Sequence, residues 1–201
     1  MRDFLNSSYE EGSNLRGYPM ESWGWALGKT RPILVEFVDQ ELIKKGKVLD
    51  LCCSAGTNTV YLAGKGFEVI AINISQRAVE YAREKAKYAN VKINFMTQSF
   101  ADLSFGGEEF DFVFDMSCFH HVEIVDRSKS IKGVHRVLKK GGDYLLTCFS
   151  YRNGHARNHF TEKLLISLFS DCFGIKRNQT FFFHRRQQCQ ALFLYTLKKK
   201  E

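Results

Sequence analysis

The first residues with the chemistry to bind a ligand follow an apolar segment that ends near position 50. Asp50 lies at its end, and small residues stand at positions 52, 54, 55 and 56. Small residues let a backbone turn sharply and approach a ligand closely, while the Asp50 carboxylate can accept hydrogen bonds from a ligand amine. The segment keeps one glycine, Gly56, and so does not match a Gly-x-Gly-x-x-Gly fingerprint. A well-packed turn with no ligand is an equal alternative at this point.

A second group, His120 and His121, follows the apolar segment 110–116. Imidazole titrates near neutral pH, so either residue could act as the general base that an amine or hydroxyl acceptor requires. A thiol needs no such base, because thiolate forms near neutral pH. The alternative is that one histidine packs beneath its loop and bonds only to backbone. A metal site that includes Cys118 is the weaker interpretation, since no carboxylate stands at a diagnostic spacing, and we predict no metal.

Two further features carry aromatic or basic side chains. Trp23 and Trp25 lie in the polar, glycine-bearing segment 1–30. Their rings could cover a pocket and face a cation, or they could anchor the segment to a sheet edge. His155 and His159 have the spacing of helical zinc ligands, but a solvated basic loop is the simpler interpretation.

The elements that must position these residues alternate in type along the chain. Ser75 is a good helix N-cap, and Val79, Ala82 and Ala86 follow it with the spacing of an apolar helical stripe. We predict helices at 32–45, 58–65, 75–89, 126–138 and 161–170, and strands at 47–52, 67–72, 91–97, 110–116, 143–149, 175–183 and 190–197. The last two strands have no helix between them, only the polar turn 184–188, which predicts antiparallel neighbours.

This alternation predicts the α/β class, with a doubly wound, seven-stranded, mostly parallel sheet and an antiparallel last strand. In such sheets, ligands bind beyond the carboxyl ends of the strands, where the strand order reverses. We therefore expect the functional residues in the loops at 50–58, 73–75, 97–102, 115–123 and 149–155.

The composition sets bounds on function. The chain has 201 residues, which suits one core rather than two. Its net charge of +7 favours anionic partners, but the basic residues are not clustered as in a nucleic-acid-binding protein. No apolar run is long enough to cross a membrane, and residues 1–6 do not resemble a secretory signal. We expect a cytoplasmic protein with no membrane partner.

The six cysteines stand at 52, 53, 118, 148, 172 and 189. Three of them lie in or beside apolar strand-like segments, and none has CxxC spacing. We predict reduced, mostly buried thiols and no structural zinc.

Four blocks of sequence resemble the motifs of class I S-adenosylmethionine-dependent methyltransferases. The first two lie in VLDLCCSAGTNTVYLAGKGFEVIAINIS at 48–75. The others are FDFVFDMSCFHHV at 110–122 and RVLKKGGDYLLTCFS at 136–150. The blocks follow the family's order and spacing. The segments TNTVYLA, DMSCFHH and LLTCFS look most like the small-molecule branch, which includes tellurite-resistance and thiopurine or thiol methyltransferases.

The resemblance implies S-adenosylmethionine as the cofactor and a role for each matching position. Asp50 would lie near the cofactor's amino group and Asn73 would face its ribose hydroxyls. The implied cofactor-binding residues are Asp50, Cys52, Cys53, Ser54, Gly56, Asn73, Ile74, Ser99, Phe100, Asp115 and Met116, with Gln98 beside the adenine. The implied catalytic residues are Asp115, His120 and His121, and the substrate-contacting residues are Trp23, Trp25 and Phe119.

Four positions depart from the family pattern. Cys52 and Ser54 replace the first two glycines, and strain at positive φ there would cost on the order of 1–2 kcal/mol. Asn73 replaces the ribose-binding acid, so a neutral hydrogen bond replaces a charge-assisted one. A loss of about 1 kcal/mol corresponds to roughly fivefold weaker cofactor binding. Ser99 replaces the usual adenine-contacting aspartate, which removes another polar contact.

The sequence therefore predicts methyl transfer to a small-molecule nucleophile, a thiol, chalcogen or other heteroatom. We expect an aromatic lid at 1–30, a single methyltransferase domain at 31–201, and a monomer or homodimer. The replaced glycines, Asn73 and Ser99 leave a catalytically impaired S-adenosylmethionine-binding protein as an alternative. The basic charge leaves an RNA or protein methyltransferase as another. Against the latter, no Asp/Asn-Pro-Pro-aromatic motif of base-amine methylation is present.

Overall fold

The structure is a computed structural model, and it describes residues 28–154, 158–185 and 188–200. Trp23, Trp25 and His155 lie outside these residues. The expectations for the N-terminal lid and for the pair of His155 with His159 therefore concern residues that the structure does not describe. The chain divides into two compact units, residues 1–100 and 101–201.

Helices and strands alternate as the sequence predicts. The strands are β1 (Lys47–Leu51), β2 (Glu68–Asn73), β3 (Asn94–Thr97), β4 (Phe110–Met116), β5 (Leu138–Phe149), β6 (Phe173–Arg185) and β7 (Gln188–Lys199). The helices are α1 (Pro32–Asp39), α2 (Thr57–Gly64), α3 (Gln76–Tyr88), α4 (Arg127–Val137) and α5 (Glu162–Phe169). Short 3-10 turns lie at Phe119–His121, Ile124–Asp126 and Tyr151–Asn153.

The strands form one seven-stranded sheet in the order β3-β2-β1-β4-β5-β7-β6. β1 pairs in parallel with β2, β2 with β3, and β4 with β5. β7 runs antiparallel to both β5 and β6. This confirms the doubly wound, mostly parallel sheet with an antiparallel last strand. The strand order reverses after β1, as the doubly wound topology requires.

In the first unit, helix α3 packs its apolar stripe against the sheet. Val79, Ala82 and Ala86 are buried with Ala71 of β2 and Phe95 of β3. This is the stripe that the helical spacing predicts, and its small residues allow the helix to approach the strands closely.

In the second unit, the core is aromatic. Phe119 lies 5.6 Å from Phe160 and 5.0 Å from Phe169, measured between ring centroids. Tyr144 and Phe173 pack on the same group. The 3-10 turn that carries Phe119 is thus fixed to the core through a fully buried ring.

Several element boundaries differ from those predicted. The first helix ends at Asp39 rather than at 45, because Glu41 adopts a φ of +52°, which no α-helix accommodates. β3 begins at Asn94 rather than at 91, and β5 begins at Leu138 rather than at 143. Both closing strands extend into the predicted turn 184–188: β6 ends at Arg185, and β7 begins at Gln188.

The prediction of reduced cysteines is wrong at two positions. Cys52 and Cys118 are disulfide-bonded, whereas Cys53, Cys148 and Cys172 are free. Spacing along the chain does not show which thiols approach each other in a folded protein, and disulfide formation depends on that approach. Among the described residues, no helix combines the length and the apolar character needed to cross a bilayer.

The close approach of α3 to the loop after β1 gives a first prediction. Gly56 has a φ of +76°, and a Cβ added there would lie 2.8 Å from the Cβ of Ala82. We expect Gly56→Ala to lower the free energy of unfolding by about 2–4 kcal/mol, because left-handed strain and overpacking add. Urea denaturation measures this value.

Gly64, at the end of α2, is the matched control. A Cβ there meets no atom within 4 Å, so Gly64→Ala should raise the unfolding free energy by about 0.5–1 kcal/mol. Equal effects at both positions would contradict the packing described at Gly56.

Candidate active site

Asp50 is held at the carboxyl end of β1. Its side chain is buried, with 2% of the residue exposed, and its Oδ2 accepts a hydrogen bond of 2.5 Å from the hydroxyl of Thr59 in α2. A hydroxyl donor compensates part of the cost of burying this carboxylate. Sequence reasoning missed Thr59; its signal is its place as the third residue of the helix that follows the loop.

The loop that follows β1 turns through three left-handed positions. Cys52, Ser54 and Gly56 have φ values of 57°, 52° and 76°. The glycine-replacing residues therefore do adopt the positive φ at which sequence reasoning expects strain. Two backbone hydrogen bonds hold the turn, from the Cys53 amide to the Ile72 carbonyl and from the Gly56 amide to the Cys53 carbonyl, both 2.9 Å.

Cys53, in the middle of this loop, remains a thiol. Burial raises its pKa well above the ordinary value, and the nearby negative charge of Asp50 raises it further. Its Sγ lies 3.7 Å from the Ser54 carbonyl oxygen, as a weak donor. A buried, protonated thiol of this kind packs as a small apolar group and is a poor nucleophile.

Asn73 ends β2, and its side-chain oxygen already has a partner. Oδ1 accepts a hydrogen bond of 2.9 Å from the Ser75 amide, and the Ser75 hydroxyl in turn caps α3 by accepting from the Ala78 amide. The Nδ2 amide group is thus the donor that Asn73 has left for a ligand. The Asn73 carbonyl accepts from the Gln98 amide at 2.9 Å, which ties the ends of β2 and β3 together.

Three other predicted cofactor residues of the first unit lie in these loops. Ile74 and Ser99 are half-buried, and Phe100 is buried. The first unit thus brings Asp50, the loop 52–56, Asn73 and the residues after β3 to the carboxyl ends of adjacent strands.

Asp115 lies near the end of β4 and is completely buried. Its carboxylate accepts hydrogen bonds from the Cys118 amide at 2.7 Å, the Phe119 amide at 3.1 Å and the Tyr144 hydroxyl at 3.1 Å. Desolvation raises the pKa of Asp115 to about 7, although these donors oppose the rise. The carboxylate fixes the start of the turn that carries His120 and His121.

The two histidines form a hydrogen-bonded pair. Their Nε2 atoms are 3.0 Å apart. His120 is buried and stacks on the ring of Phe149 at 3.9 Å, whereas His121 is exposed. Burial lowers the pKa of His120 well below its ordinary value. Of the alternative raised from the sequence, one histidine packed beneath its loop and bonded only to backbone, the packing applies to His120, but His120 also bonds to the side chain of His121.

The remaining predicted residues of the second unit surround this turn. Met116 is half-buried, and its sulfur accepts a hydrogen bond of 3.2 Å from the Thr147 hydroxyl. Phe119 is fully buried in the aromatic core. Sequence reasoning missed Tyr144 and Phe149. Both lie on β5, and the available signal is that β5 is the next predicted strand after β4. Within the described part of the chain, no group of three or more metal-binding side chains is present.

Comparisons with known proteins agree with one another. Residues 48–142 match the methyltransferase domain family. Over 101 residues, the chain is 42% identical to an uncharacterized methyltransferase of Synechocystis, a match that covers 50% of this chain and 45% of that protein. Over 116 residues, it is 31% identical to an uncharacterized methyltransferase of Schizosaccharomyces pombe, covering 56% of this chain and 80% of that protein. The chain thus spans less than half the length of the first relative and most of the second.

A solved structure shares the fold. The 1,6-didemethyltoxoflavin-N1-methyltransferase of Burkholderia thailandensis, with 1,6-didemethyltoxoflavin and S-adenosylhomocysteine bound, superposes with a TM-score of 0.78. The match covers 100% of this chain and 87% of that one at 20% sequence identity. At this level of identity, the similarity establishes the architecture alone.

The buried Asp115 predicts a pH-dependent stability. Its pKa rises on folding from 3.8 to about 7, so the folded state keeps a proton that the unfolded state releases. The stabilising contribution is complete below the unfolded pKa and is lost as the pH rises through the folded pKa, by at most about 1.4 kcal/mol per pH unit.

In Asp115→Asn the side chain cannot ionise, and its amide can imitate the protonated carboxyl group. We expect the unfolding free energy of the wild type, minus that of Asp115→Asn, to fall by about 1 kcal/mol or more between pH 5 and pH 7 in urea denaturation. Asp102→Asn, which removes a carboxylate whose side chain is 80% exposed, is the control for the substitution itself. A constant difference for Asp115→Asn would be inconsistent with a buried, proton-retaining carboxyl.

Proposed function

Because this chain belongs to the class I S-adenosylmethionine-dependent methyltransferases, we propose that it transfers a methyl group from S-adenosylmethionine to a small-molecule nucleophile. The methyl acceptor is a thiol, a chalcogen or another heteroatom. The observation that carries the proposal is the loop 52–56, with its three left-handed residues beside the buried Asp50 carboxylate. Its tight turn suits the close approach of a ligand, and the carboxylate suits an ammonium group.

The residues of the first unit fit the cofactor by their chemistry. Asp50 supplies an anionic acceptor for the amino group, and Asn73 supplies an amide donor at the ribose. Cys52, Cys53, Ser54 and Gly56 line the methionine part in this proposal, and Ile74, Gln98, Ser99 and Phe100 surround the adenosine part. The cofactor supplies a methyl group that its sulfonium already activates, so the protein must mainly orient the acceptor and exclude water.

In the second unit, we assign the acceptor side of the site to the turn after β4. His121 contacts the acceptor, while His120 and Asp115 hold the turn in place; Met116 contributes to the cofactor site, and Phe119 forms the apolar base of the turn. Residues 1–30, with Trp23 and Trp25, act as an aromatic lid over the single domain at 31–201. The 1,6-didemethyltoxoflavin bound to the Burkholderia enzyme supports a small-molecule acceptor.

Isothermal titration calorimetry with S-adenosylhomocysteine tests the proposal. Binding with a Kd in the micromolar range, followed by methyl transfer to members of a thiol and phenol panel, is the expected result. Absence of heat at millimolar ligand would refute the cofactor assignment. Binding without turnover on any acceptor would instead favour a catalytically impaired binding protein, as the residues at 54 and 73 suggest.

The geometry at Asn73 predicts the effect of restoring an acid. In Asn73→Asp, one carboxylate oxygen can accept from the Ser75 amide while the other accepts from a ribose hydroxyl, a stronger, charge-assisted bond. We expect about fivefold tighter binding of S-adenosylhomocysteine, which corresponds to about 1 kcal/mol. Asn73→Ala, which loses both interactions, should bind more weakly than the wild type. Equal affinities of Asn73→Asp and the wild type would show that this side chain does not contact the ribose.

A further inference from the structure

The hydrogen bonds around the histidine pair define which ring nitrogens carry protons. The Phe149 backbone amide donates to Nδ1 of His120 at 3.4 Å. A backbone amide can only donate, so Nδ1 of His120 is an acceptor without a proton. A neutral imidazole has one N–H group, and in His120 this group must therefore be Nε2–H.

The same reasoning then extends to His121. Nε2 of His120 lies 3.0 Å from Nε2 of His121 and donates to it. Nε2 of His121 is therefore the acceptor, and its own proton lies on Nδ1. In this arrangement, the lone pairs of both rings are already used, and the accessible member of the pair presents an N–H group.

We propose that His121 donates a hydrogen bond through Nδ1 to the methyl acceptor, and that the acceptor is therefore a group already ionised near neutral pH, a thiolate above all. This inference rests on the proposed function, in which His121 contacts the acceptor. A general base needs a free lone pair, which neither ring offers. A fixed N–H group instead stabilises and orients an anion.

The charge balance of the reaction agrees with this role. The thiolate lone pair forms the bond to the methyl carbon, the bond between that carbon and the sulfonium sulfur breaks, and its electron pair remains on that sulfur. An anion and a cation give two neutral thioethers, so no proton must be removed during the step. His121 needs only to hold the acceptor in line.

The surroundings of the pair keep it neutral. His120 is 2% exposed. His159 packs against Phe149, the ring on which His120 stacks. A positive charge on His159 would lower the pKa of His120 further. Nδ1 of His159 lies 2.7 Å from the Gly154 carbonyl oxygen and donates to it. The Asp115 carboxylate is directed to the start of the turn and to Tyr144. His120 thus acts as a positioning residue that fixes the tautomer of His121.

Nitrogen-15 NMR of histidine-labelled protein tests the tautomers without any substrate. Spectra of the wild type, His120→Gln and His121→Gln at pH 7.5 assign the two rings by difference. We expect an Nε2–H tautomer for His120 and an Nδ1–H tautomer for His121. An Nε2–H tautomer or a protonated ring at His121 would overturn the proposal.

Turnover of thiophenol and of phenol, which have the same shape, tests the acceptor class. Phenol stays almost entirely protonated at pH 7.5, since phenolic groups have a pKa near 10. We expect methylation of thiophenol with a kcat/KM at least about 100-fold higher than that for phenol. Comparable rates for the two, or no turnover of thiophenol, would contradict the assignment of an ionised acceptor.

Two variants at His121 separate a donor from a base. His121→Leu removes the N–H group and should lower kcat/KM for thiophenol about 10-fold to 100-fold, the loss of one hydrogen bond to a charged group. His121→Gln supplies an amide donor but no base, and should restore most of that loss. An equal loss in both variants would indicate a base. Calorimetry with S-adenosylhomocysteine on the same samples distinguishes this failure from failure of the proposed function, since cofactor binding is independent of the tautomer.

Discussion

Backbone amides in the turns after the parallel strands need hydrogen-bond acceptors once they are buried. In both units, this requirement determines which polar side chain stands at the strand end. At the end of β2, the Asn73 side chain accepts from the Ser75 amide. Near the end of β4, Asp115 accepts from the Cys118 and Phe119 amides. An amide buried without a partner costs about 1–3 kcal/mol, so a polar side chain at the strand end both stabilises the turn and fixes what the turn presents.

This dual use constrains the site. Asn73 and Asp115 stand where a ligand-binding fold places its polar residues, yet each is first a structural acceptor. The groups that we propose as ligand contacts are those that each turn leaves over: the amide donor of Asn73 in the first unit, and in the second unit the imidazole of His121, on the turn that Asp115 fixes. The chemistry that we propose therefore depends on the protein's own hydrogen bonds as much as on the residue types.

The fold and part of the site follow from sequence patterns because they depend on local chemistry. Apolar periodicity predicts the order of strands and helices, and the predicted cap at Ser75 is present, with the Ser75 hydroxyl accepting a hydrogen bond from the Ala78 amide. Partners that lie far along the chain could not be predicted. The order of the predicted strands suggests β5 as the neighbour of β4, but no spacing in the sequence encodes the register that brings Phe149 to His120.

The disulfide bonds of Cys52 and Cys118 and the early end of α1 escaped prediction for related reasons. The pairing of thiols depends on distances in three dimensions. The end of α1 depends on the left-handed conformation of Glu41, a residue type that gives no local signal for such a turn. Positive φ at Cys52 and Ser54 was accessible to sequence reasoning because a known motif places glycine at those positions.

The position of β7 has a consequence for biosynthesis. β7 lies inside the sheet, between β5 and β6, and its pairing partners in β5 are about fifty residues earlier in the chain, as in Asp143 with Lys198. While a ribosome is still adding residues 188–199, β5 has an open edge and β6 has no neighbour to join it to the sheet. Until β7 has formed, the edge of β5 can therefore pair with other strands, which makes this the interval in which the nascent chain is most prone to aggregation.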